Sequence, residues 1–269
     1  VTIIGASAFE KCTDLTSITI PDNVKSIENK AFYKCTNLTS ITIGNNVKSI
    51  GNEAFLGCTS LTSITIGNSV TNIDYGAFTD CTSLTSITIP DKVTSIGASA
   101  FEKCTDLTSI IFTPTSKVAI IGDFAFNLCT KLTYIIIPDS VESIGIHAFQ
   151  YCTSLTSITI PDSVESIDKN AFYECVNLTS ITVGAWIENK TLSAILNISG
   201  LSLDKIKSVT IPDSVVNITY DLDVKKDCLL STLEPEPESE YCEPEPEMEP
   251  EPEMEPEMEP PKYYALSSA

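Results

Sequence analysis

Cysteine is the residue type in this sequence whose spacing most suggests a chemical site. Eight of the ten cysteines recur every 23 residues, with one interval of 25. They are Cys12, Cys35, Cys58, Cys81, Cys104, Cys129, Cys152 and Cys175. Equivalent residues stacked at about 4.8 Å would lie within disulfide range, but their side chains would point in parallel, so pairing would require local distortion. We therefore expect these cysteines to be small buried hydrophobic groups that form one column.

Cys228 and Cys242 lie outside that series, and the sequence leaves their role open. They could form a disulfide with each other in an oxidising compartment, or Cys242 could link to another chain. A zinc site is not favoured, because the sequence has no Cys-x-x-Cys pair and a single histidine. We expect neither a metal nor any other cofactor.

The residue pattern also gives little support to a catalytic site. His147 occupies a repeat position that other units fill with Ser, Lys, Glu, Gly, Phe or Asn, so we expect it to face solvent. Without this histidine, no Ser-His-Asp or Cys-His arrangement can be built. Carboxylate pairs such as Asp162 and Glu165 recur as solvated turn residues. The sequence therefore predicts a protein that is not an enzyme.

Charge and apolar run length argue against two further classes, nucleic-acid-binding proteins and membrane-spanning proteins. The net charge is −20, the pI is about 4.2, and all 16 basic residues are lysine. A chain without a guanidinium group is poorly suited to phosphate or nucleic-acid recognition. Apolar runs such as Ile135–Ile137 are far too short to span a bilayer.

The chain opens in mid-pattern at Val1, so we expect a fragment that lacks its N-terminal cap.

The cysteines belong to a repeat that includes most of the apolar residues. One unit reads L-x-x-I-x-I-P-x-x-V-x-x-I-x-x-x-A-F-x-x-C-x-x, and Leu155 to Cys175 is a representative copy. The Ile-x-Ile alternation favours a short strand, which the proline ends because it has no N–H to donate. Val and Ile then return in a second extended piece, and Ala-Phe-x-x-Cys fits a tight helical or 3₁₀-like turn. Since no unit can bury this set alone, the copies must stack into one core.

This repeat resembles the BspA-type, or treponemal-type, leucine-rich repeat. The resemblance is carried by the series A-F-x-x-C-x-x-L-x-x-I-x-I-P-x-x-V-x-x-I, clearly over residues 1–183 and more loosely to Ile218. It implies a right-handed, mainly β leucine-rich-repeat solenoid of about nine 23-residue coils with short helical turns. The resemblance also implies a function, because the family is known mainly as surface and adhesion proteins of host-associated anaerobic bacteria and protozoan parasites. Members are linked to extracellular-matrix binding and to cell aggregation.

The repeat breaks towards the C-terminus, which predicts three domains. Residues 1–183 hold the repeats, 184–233 form an atypical last repeat and C-terminal cap, and 234–269 form a disordered tail. The cap contains Leu192, Ile195 and Leu196 at helical spacing, followed by a ninth strand near Val209. The tail is dense in Glu and Pro, which favours extended, solvated chain.

The outward side of the main strands suggests where a ligand binds. Most units present only small hydroxyls, and the ladder includes Ser63, Thr65, Ser86, Thr88, Ser157 and Thr159. Two adjacent units depart from it with Ile111, Tyr134 and Ile136, beside a two-residue insertion near residues 113–117. We predict that these three side chains form a patch on the concave face, since exposed apolar residues on a polar sheet mark contact sites. Drift of a tolerant repeat, or coverage by the inserted loop, is the alternative.

Taken together, the sequence predicts a monomeric binding module for a protein or glycan ligand, acting in adhesion at the cell surface or after secretion. The first alternative is an intracellular protein–protein interaction scaffold in the cytoplasm. A more remote one is binding of ice or polysaccharide through the Ser-x-Thr ladder, which a thermal-hysteresis measurement would detect. We expect no nucleic-acid partner and no membrane span.

Overall fold

The computed structural model describes residues 1–168 and 170–183, together with the strands Ser208–Thr210, Leu230–Ser231 and Tyr263–Ala265. The described part is a mainly β, parallel solenoid of about eight turns with the spacing of the sequence repeat. We define a coil as a return strand, the turn that follows it and the next front strand. Coil 1 begins with β1, coil 2 with β3, and so on to coil 8, which begins with β15 and ends with β16.

The odd-numbered elements up to β15 are two-residue return strands. They are β1 Ile3–Ile4, β3 Ser26–Ile27, β5 Ser49–Ile50, β7 Asn72–Ile73, β9 Ser95–Ile96, β11 Ile120–Ile121, β13 Ser143–Ile144 and β15 Ser166–Ile167. The even-numbered elements up to β16 are the front strands. They are β2 Ser17–Ile20, β4 Ser40–Ile43, β6 Ser63–Thr65, β8 Ser86–Ile89, β10 Ser109–Phe112, β12 Tyr134–Ile136, β14 Ser157–Ile160 and β16 Ser180–Val183.

The strands pair in parallel with residues one repeat apart opposite each other. Ser17 faces Ser40 and Ile20 faces Ile43, so each side chain lies beside its own equivalent. The return strands form one continuous eight-stranded sheet. The front strands instead divide into β2–β4–β6, β8–β10 and a sheet that starts β12–β14–β16. The front face therefore has two interruptions, one of them at the inserted loop.

The interior consists of columns of identical side chains. Seven consecutive pairs of phenylalanine rings, from Phe9 to Phe172, stack nearly parallel at centroid distances of 4.9 to 5.4 Å. Phe55 and Cys81 are completely buried. Full burial of one aliphatic or aromatic side chain contributes about 1.5–3 kcal/mol, so these columns supply most of the driving force for folding. The predicted shared core is confirmed.

The turns differ from the sequence prediction. No helix or 3₁₀ turn is present in the described residues, and Ala-Phe-x-x-Cys instead forms hydrogen-bonded turns. The Cys12 amide donates to the Phe9 carbonyl at 3.1 Å, whereas the Phe9 amide donates to Ala31 of the next coil at 2.7 Å. Alternate amides thus link neighbouring coils. A helix would have used every amide within its own coil, so the prediction of short helical turns was wrong.

These turns require a left-handed backbone at two positions in every coil, which we call the turn positions. The residues with positive φ are Ser7, Lys11, Lys30, Lys34, Glu53, Gly57, Gly76, Asp80, Ser99, Lys103, Phe124, Leu128, His147, Tyr151, Asn170 and Glu174. L-residues other than glycine lose about 1–2 kcal/mol in this conformation. The inter-coil hydrogen bonds and the buried Phe and Cys that flank these positions hold the backbone there.

Beyond coil 8 the structure describes three more strands. β17 (Ser208–Thr210) pairs in parallel with β16, as expected for a ninth front strand. β19 (Tyr263–Ala265) lies antiparallel to β17, and β18 (Leu230–Ser231) lies antiparallel to β19. Within the tail the structure thus describes three residues as a strand where the sequence predicted disorder. The predicted helix near Leu192, the remainder of the cap and tail, and both Cys228 and Cys242 lie outside the described residues.

Candidate functional site

The outward side chains of the front strands form the hydroxyl surface that the sequence predicts. Ser63, Thr65, Ser86 and Thr88 are exposed, and Ser157 and Thr159 continue the same rows in coil 7. The alternation follows from the strand itself, because Ile87 and Ile158 between them point into the core. Small hydroxyls make this face polar and nearly flat, with little apolar surface for a partner to bury.

The front patch, which we define as Ile111, Tyr134 and Ile136, is the exception on this face. Ile111 is 50 % exposed, Tyr134 is 51 % exposed and Ile136 is 71 % exposed. They lie on β10 and β12 of adjacent coils, so the structure brings together the three residues that the sequence singled out.

A groove of about 370 Å³ runs beside the front patch. Its walls include Ile111, Tyr134 and Ile136 on one side and the Thr113–Ser116 loop and Pro138 on the other. Asp139 is the single carboxylate among the lining residues. Apolar side chains and polar groups, among them the hydroxyls of Thr113, Ser116 and Ser140, contribute nearly equally to the lining, so a ligand could make both kinds of contact there.

The two extra residues after β10 explain the groove. β10 pairs with β8 and β12 pairs with β14, but β10 and β12 do not form a ladder. The Thr133 amide approaches the Thr108 carbonyl at 3.5 Å, compared with 2.9 Å between Thr108 and Thr85 one coil earlier. The longer connection lets the two coils separate at this face, so the groove opens where the sheet is interrupted.

The inserted loop is closed by its own turn and is held at its C-terminal end by the next coil. Its own turn closes through the Ser116 amide, which donates to the Thr113 carbonyl at 3.0 Å. The Ser140 hydroxyl of the next coil donates to the Val118 carbonyl at 2.8 Å. Thr113 and Ser116 are half-buried, while Pro114 is exposed. The loop therefore forms a wall of the groove and leaves the front patch open, which removes coverage by the loop as an explanation of the patch.

The cysteine column is structural, as predicted. All eight described cysteines are free thiols, and seven are buried. From Cys35 onward, each Sγ–H donates to the phenylalanine carbonyl of the preceding coil at 3.0 to 3.3 Å. Burial raises the pKa of the Cys175 thiol to about 12 and keeps Cys81 protonated as well. Cys81 and Cys175 are therefore poor nucleophiles and poor metal ligands.

His147 is placed differently from the sequence prediction. Its side chain is half-buried rather than fully solvent-facing, and its ring stacks on Phe124 at a centroid distance of 5.0 Å. The variability of this repeat position reflects a constraint on the backbone, since every coil has positive φ there. No group of three or more His, Cys, Asp or Glu in the described residues could hold a metal ion. The second turn position of each coil, which holds Leu128 and Tyr151 in coils 6 and 7, departs from the polar pattern in the same way and can be found by aligning the copies.

The chain was then compared with known proteins. The family model described as "BspA type Leucine rich repeat region" matches residues 2–119 and 119–222, with six copies. The chain belongs to the BspA-type leucine-rich repeat family. Proteins with leucine-rich repeats of this kind generally mediate protein–protein interaction. A search of the curated proteins found no match.

The solved structures most useful for comparison are themselves leucine-rich repeat proteins. The T. pallidum leucine-rich repeat protein is 28 % identical, with a TM-score of 0.56, and the match covers 61 % of this chain and 78 % of that one. A leucine-rich cell surface protein from Faecalibacterium prausnitzii is 26 % identical over 82 % of this chain and 83 % of its own, with a TM-score of 0.47. The T. pallidum structure supports the solenoid fold. No helix in the described part of the BspA-type chain has the length and hydropathy of a membrane span.

Proposed function

We propose that this BspA-type protein is a non-enzymatic binding module that holds a protein ligand against the front patch. The observation that carries the proposal is the exposure of Ile111, Tyr134 and Ile136 on a sheet face whose other coils present serine and threonine. Apolar and aromatic side chains in this setting are favourable contacts for a partner, because their burial releases water from surface that the fold leaves uncovered.

The groove beside the front patch strengthens the proposal. A partner side chain can enter between Tyr134 and the Thr113–Ser116 loop, while its neighbours pack on Ile136. Hot spots of protein interfaces consist of such central aromatic and aliphatic anchors surrounded by polar residues that exclude water. The hydroxyl rows of coils 4 and 7 supply that polar surround on both sides.

The biological setting that we propose is adhesion at the cell surface or after secretion. The family resemblance supports it, and the F. prausnitzii protein is described as a cell surface protein. An intracellular scaffold would use the same front patch. Fractionation of the native organism, with antibodies against the solenoid, distinguishes the two: adhesion requires the protein on the surface or in the medium, and recovery from the cytosol alone would contradict it.

The front patch is tested by surface plasmon resonance against a panel of purified extracellular-matrix proteins. The double substitution Tyr134→Ser and Ile136→Thr restores the residues that other coils carry, so folding should be unchanged. We expect binding to at least one matrix protein, weakened about tenfold or more by the double substitution, since an anchor residue is worth about 2 kcal/mol.

A matched control is available in the same coil as Tyr134. Ile120 is an isoleucine 49 % exposed on the return sheet, where most other coils have serine. The Ile120→Ser variant removes exposed apolar surface away from the front patch and should bind like the wild type. Equal losses in both variants would indicate nonspecific hydrophobic adsorption, and an unchanged affinity of the front-patch variant would refute the proposed site.

A further inference from the structure

A second surface departs from the repeat, at the turn positions of coils 6 and 7. In the other six coils both turn positions hold glycine or a polar residue. In coils 6 and 7 they hold Phe124, Leu128, His147 and Tyr151, with φ between 55 and 62°. A bulky side chain at positive φ is strained, and such residues persist where they have a role that compensates the cost.

Packing of the core does not explain these four residues. They lie outside the buried columns: Tyr151 is exposed and Phe124, Leu128 and His147 are only half-buried. Their rings instead cover one another, Phe124 on His147 at 5.0 Å and Tyr151 against Tyr173 of coil 8 at 6.1 Å. Ile146 and Tyr173 extend the apolar surface and are exposed themselves. We call these six residues the turn-edge patch.

Polar atoms without partners lie in the same turns. The Oδ1 atom of Asn127 is buried without a hydrogen-bond partner among the described residues, although Asn127 is only 7 % exposed and its Nδ2 donates to Glu102 at 3.2 Å. The buried Nδ1 atom of His147 also lacks a partner there. Unsatisfied buried polar atoms are uncommon, because each costs about 1–3 kcal/mol. Two of them flanking the aromatic rings indicate a surface prepared for hydrogen bonds with a ligand.

The charged groups that contact this surface are carboxylates. Asp123 accepts a hydrogen bond from the Ile146 amide at 2.8 Å, Glu102 accepts from Asn127, and the Tyr173 hydroxyl donates to Glu174. These carboxylates would repel an anionic ligand, whereas their oxygens can accept hydrogen bonds from hydroxyl groups. Exposed rings, amide groups and carboxylate acceptors fit a neutral ligand that has both C–H faces and hydroxyls.

We propose that the turn-edge patch binds a neutral saccharide. The C–H face of a pyranose ring would stack on one of the two tyrosine rings, Tyr151 or Tyr173, which lie edge to face, as apolar groups pack on aromatic faces. Its hydroxyls would hydrogen-bond to polar atoms of the same turns, including Nδ1 of His147 after a small side-chain movement. The site shares no residue with the front patch or its groove, and the buried Cys129 and Leu132 lie between Leu128 and Tyr134 along the chain.

Affinity electrophoresis tests the proposal with three probes: a mixed-linkage β-glucan, a mannan and a xylan, each dissolved in a native gel. We expect at least one to retard the wild-type chain. The variant Phe124→Ser/Tyr151→Lys carries the residues found at the same positions of coil 5, Ser99 and Lys103, so it should fold. We expect it to bind that polysaccharide about tenfold more weakly, as lost aromatic contacts imply.

Controls separate this site from the other surfaces. Lys103→Ser alters the same turn position in coil 5 and should leave retardation unchanged, as should the Tyr134→Ser/Ile136→Thr front-patch variant and Thr159→Val in the hydroxyl ladder. The proposal is overturned if none of the three gels retards the wild type. It is also overturned if the turn-edge variant is retarded equally, or if the front-patch or ladder variant removes retardation. Loss of matrix-protein binding in the turn-edge variant, without polysaccharide binding by the wild type, would assign the patch to a protein partner instead.

Discussion

Coils 2 to 4 and coils 5 to 7 share one interior and differ on the outside. Phe55 and Phe149 are both completely buried, and each stacks on its two neighbouring phenylalanines at ring-centroid distances of 5.2 to 5.4 Å. On the front sheet, Thr65 of coil 3 corresponds to Ile136 of coil 6. At the turn positions, Gly57 of coil 3 corresponds to Tyr151 of coil 7. The interior varies little because each side chain packs on its own copies, although Phe112 lies opposite Ile89 of the preceding coil. Variation at outward positions is therefore where function can be sought.

The largest expected effect breaks the shared interior. Phe78→Ala leaves a cavity in the middle of the phenylalanine column, and we expect the free energy of unfolding to fall by about 3–5 kcal/mol. Urea denaturation followed by circular dichroism measures this loss. Tyr75→Ala, three residues away and exposed, is the control and should change stability by less than about 0.5 kcal/mol. Comparable losses in the two variants would contradict the stacked core.

The next effect concerns the cysteines of the interior at alkaline pH. Because burial raises the pKa of Cys175 from 9.0 to about 12, the folded state keeps its proton where the unfolded state loses it. Stability is therefore full below about pH 8.5 and falls as the pH rises towards 12, by about 1.4 kcal/mol per pH unit for each thiol so affected. Thermal melts of the wild type and of Cys175→Ala from pH 7 to 10 measure this slope. The variant should show a shallower decline, and parallel curves would show that the thiol plays no part.

The smallest effect concerns the outward turn positions, where a substitution can increase stability. Lys103 is exposed with a φ of 59°, and glycine occupies the equivalent position of coil 3. Lys103→Gly relieves the left-handed strain and should raise the free energy of unfolding by about 1 kcal/mol. Lys48→Gly, at an exposed position without positive φ, should lower it by about 0.5–1 kcal/mol. We predict changes of opposite sign in the free energy of unfolding, which urea midpoints measure. Changes of the same sign in both variants would contradict the prediction.

The sequence predicted the interior and the front patch well because both depend on register. A repeat of 23 residues places Ile111 beside Thr88 and Tyr134 beside Ser157, and the ladders show these neighbours. The groove could not be predicted, since it depends on how far two coils separate where the inserted loop interrupts the sheet. Ligand binding at the front patch stays a prediction.

The turns were predicted less well. Ala-Phe-x-x-Cys has a spacing that suits a helical turn, and nothing in one copy reveals that the Phe9 amide will donate to Ala31 of the next coil. For the same reason His147 was interpreted as a tolerant solvent position, although its variability conceals a fixed positive φ. The turn-edge patch was missed because only the first turn position was compared between copies, and the second, which holds Leu128 and Tyr151, was not.

By itself, the sequence determined the period of this protein, the identity of its core columns and the outward positions where the repeat is broken. These follow from hydrophobic spacing, which is a local property of the chain repeated in register. Only the tertiary structure decided the conformation of the turns, the opening of the groove and the meeting of Tyr151 with Tyr173. Those features depend on hydrogen bonds and contacts between coils, which arise once one coil lies on the next.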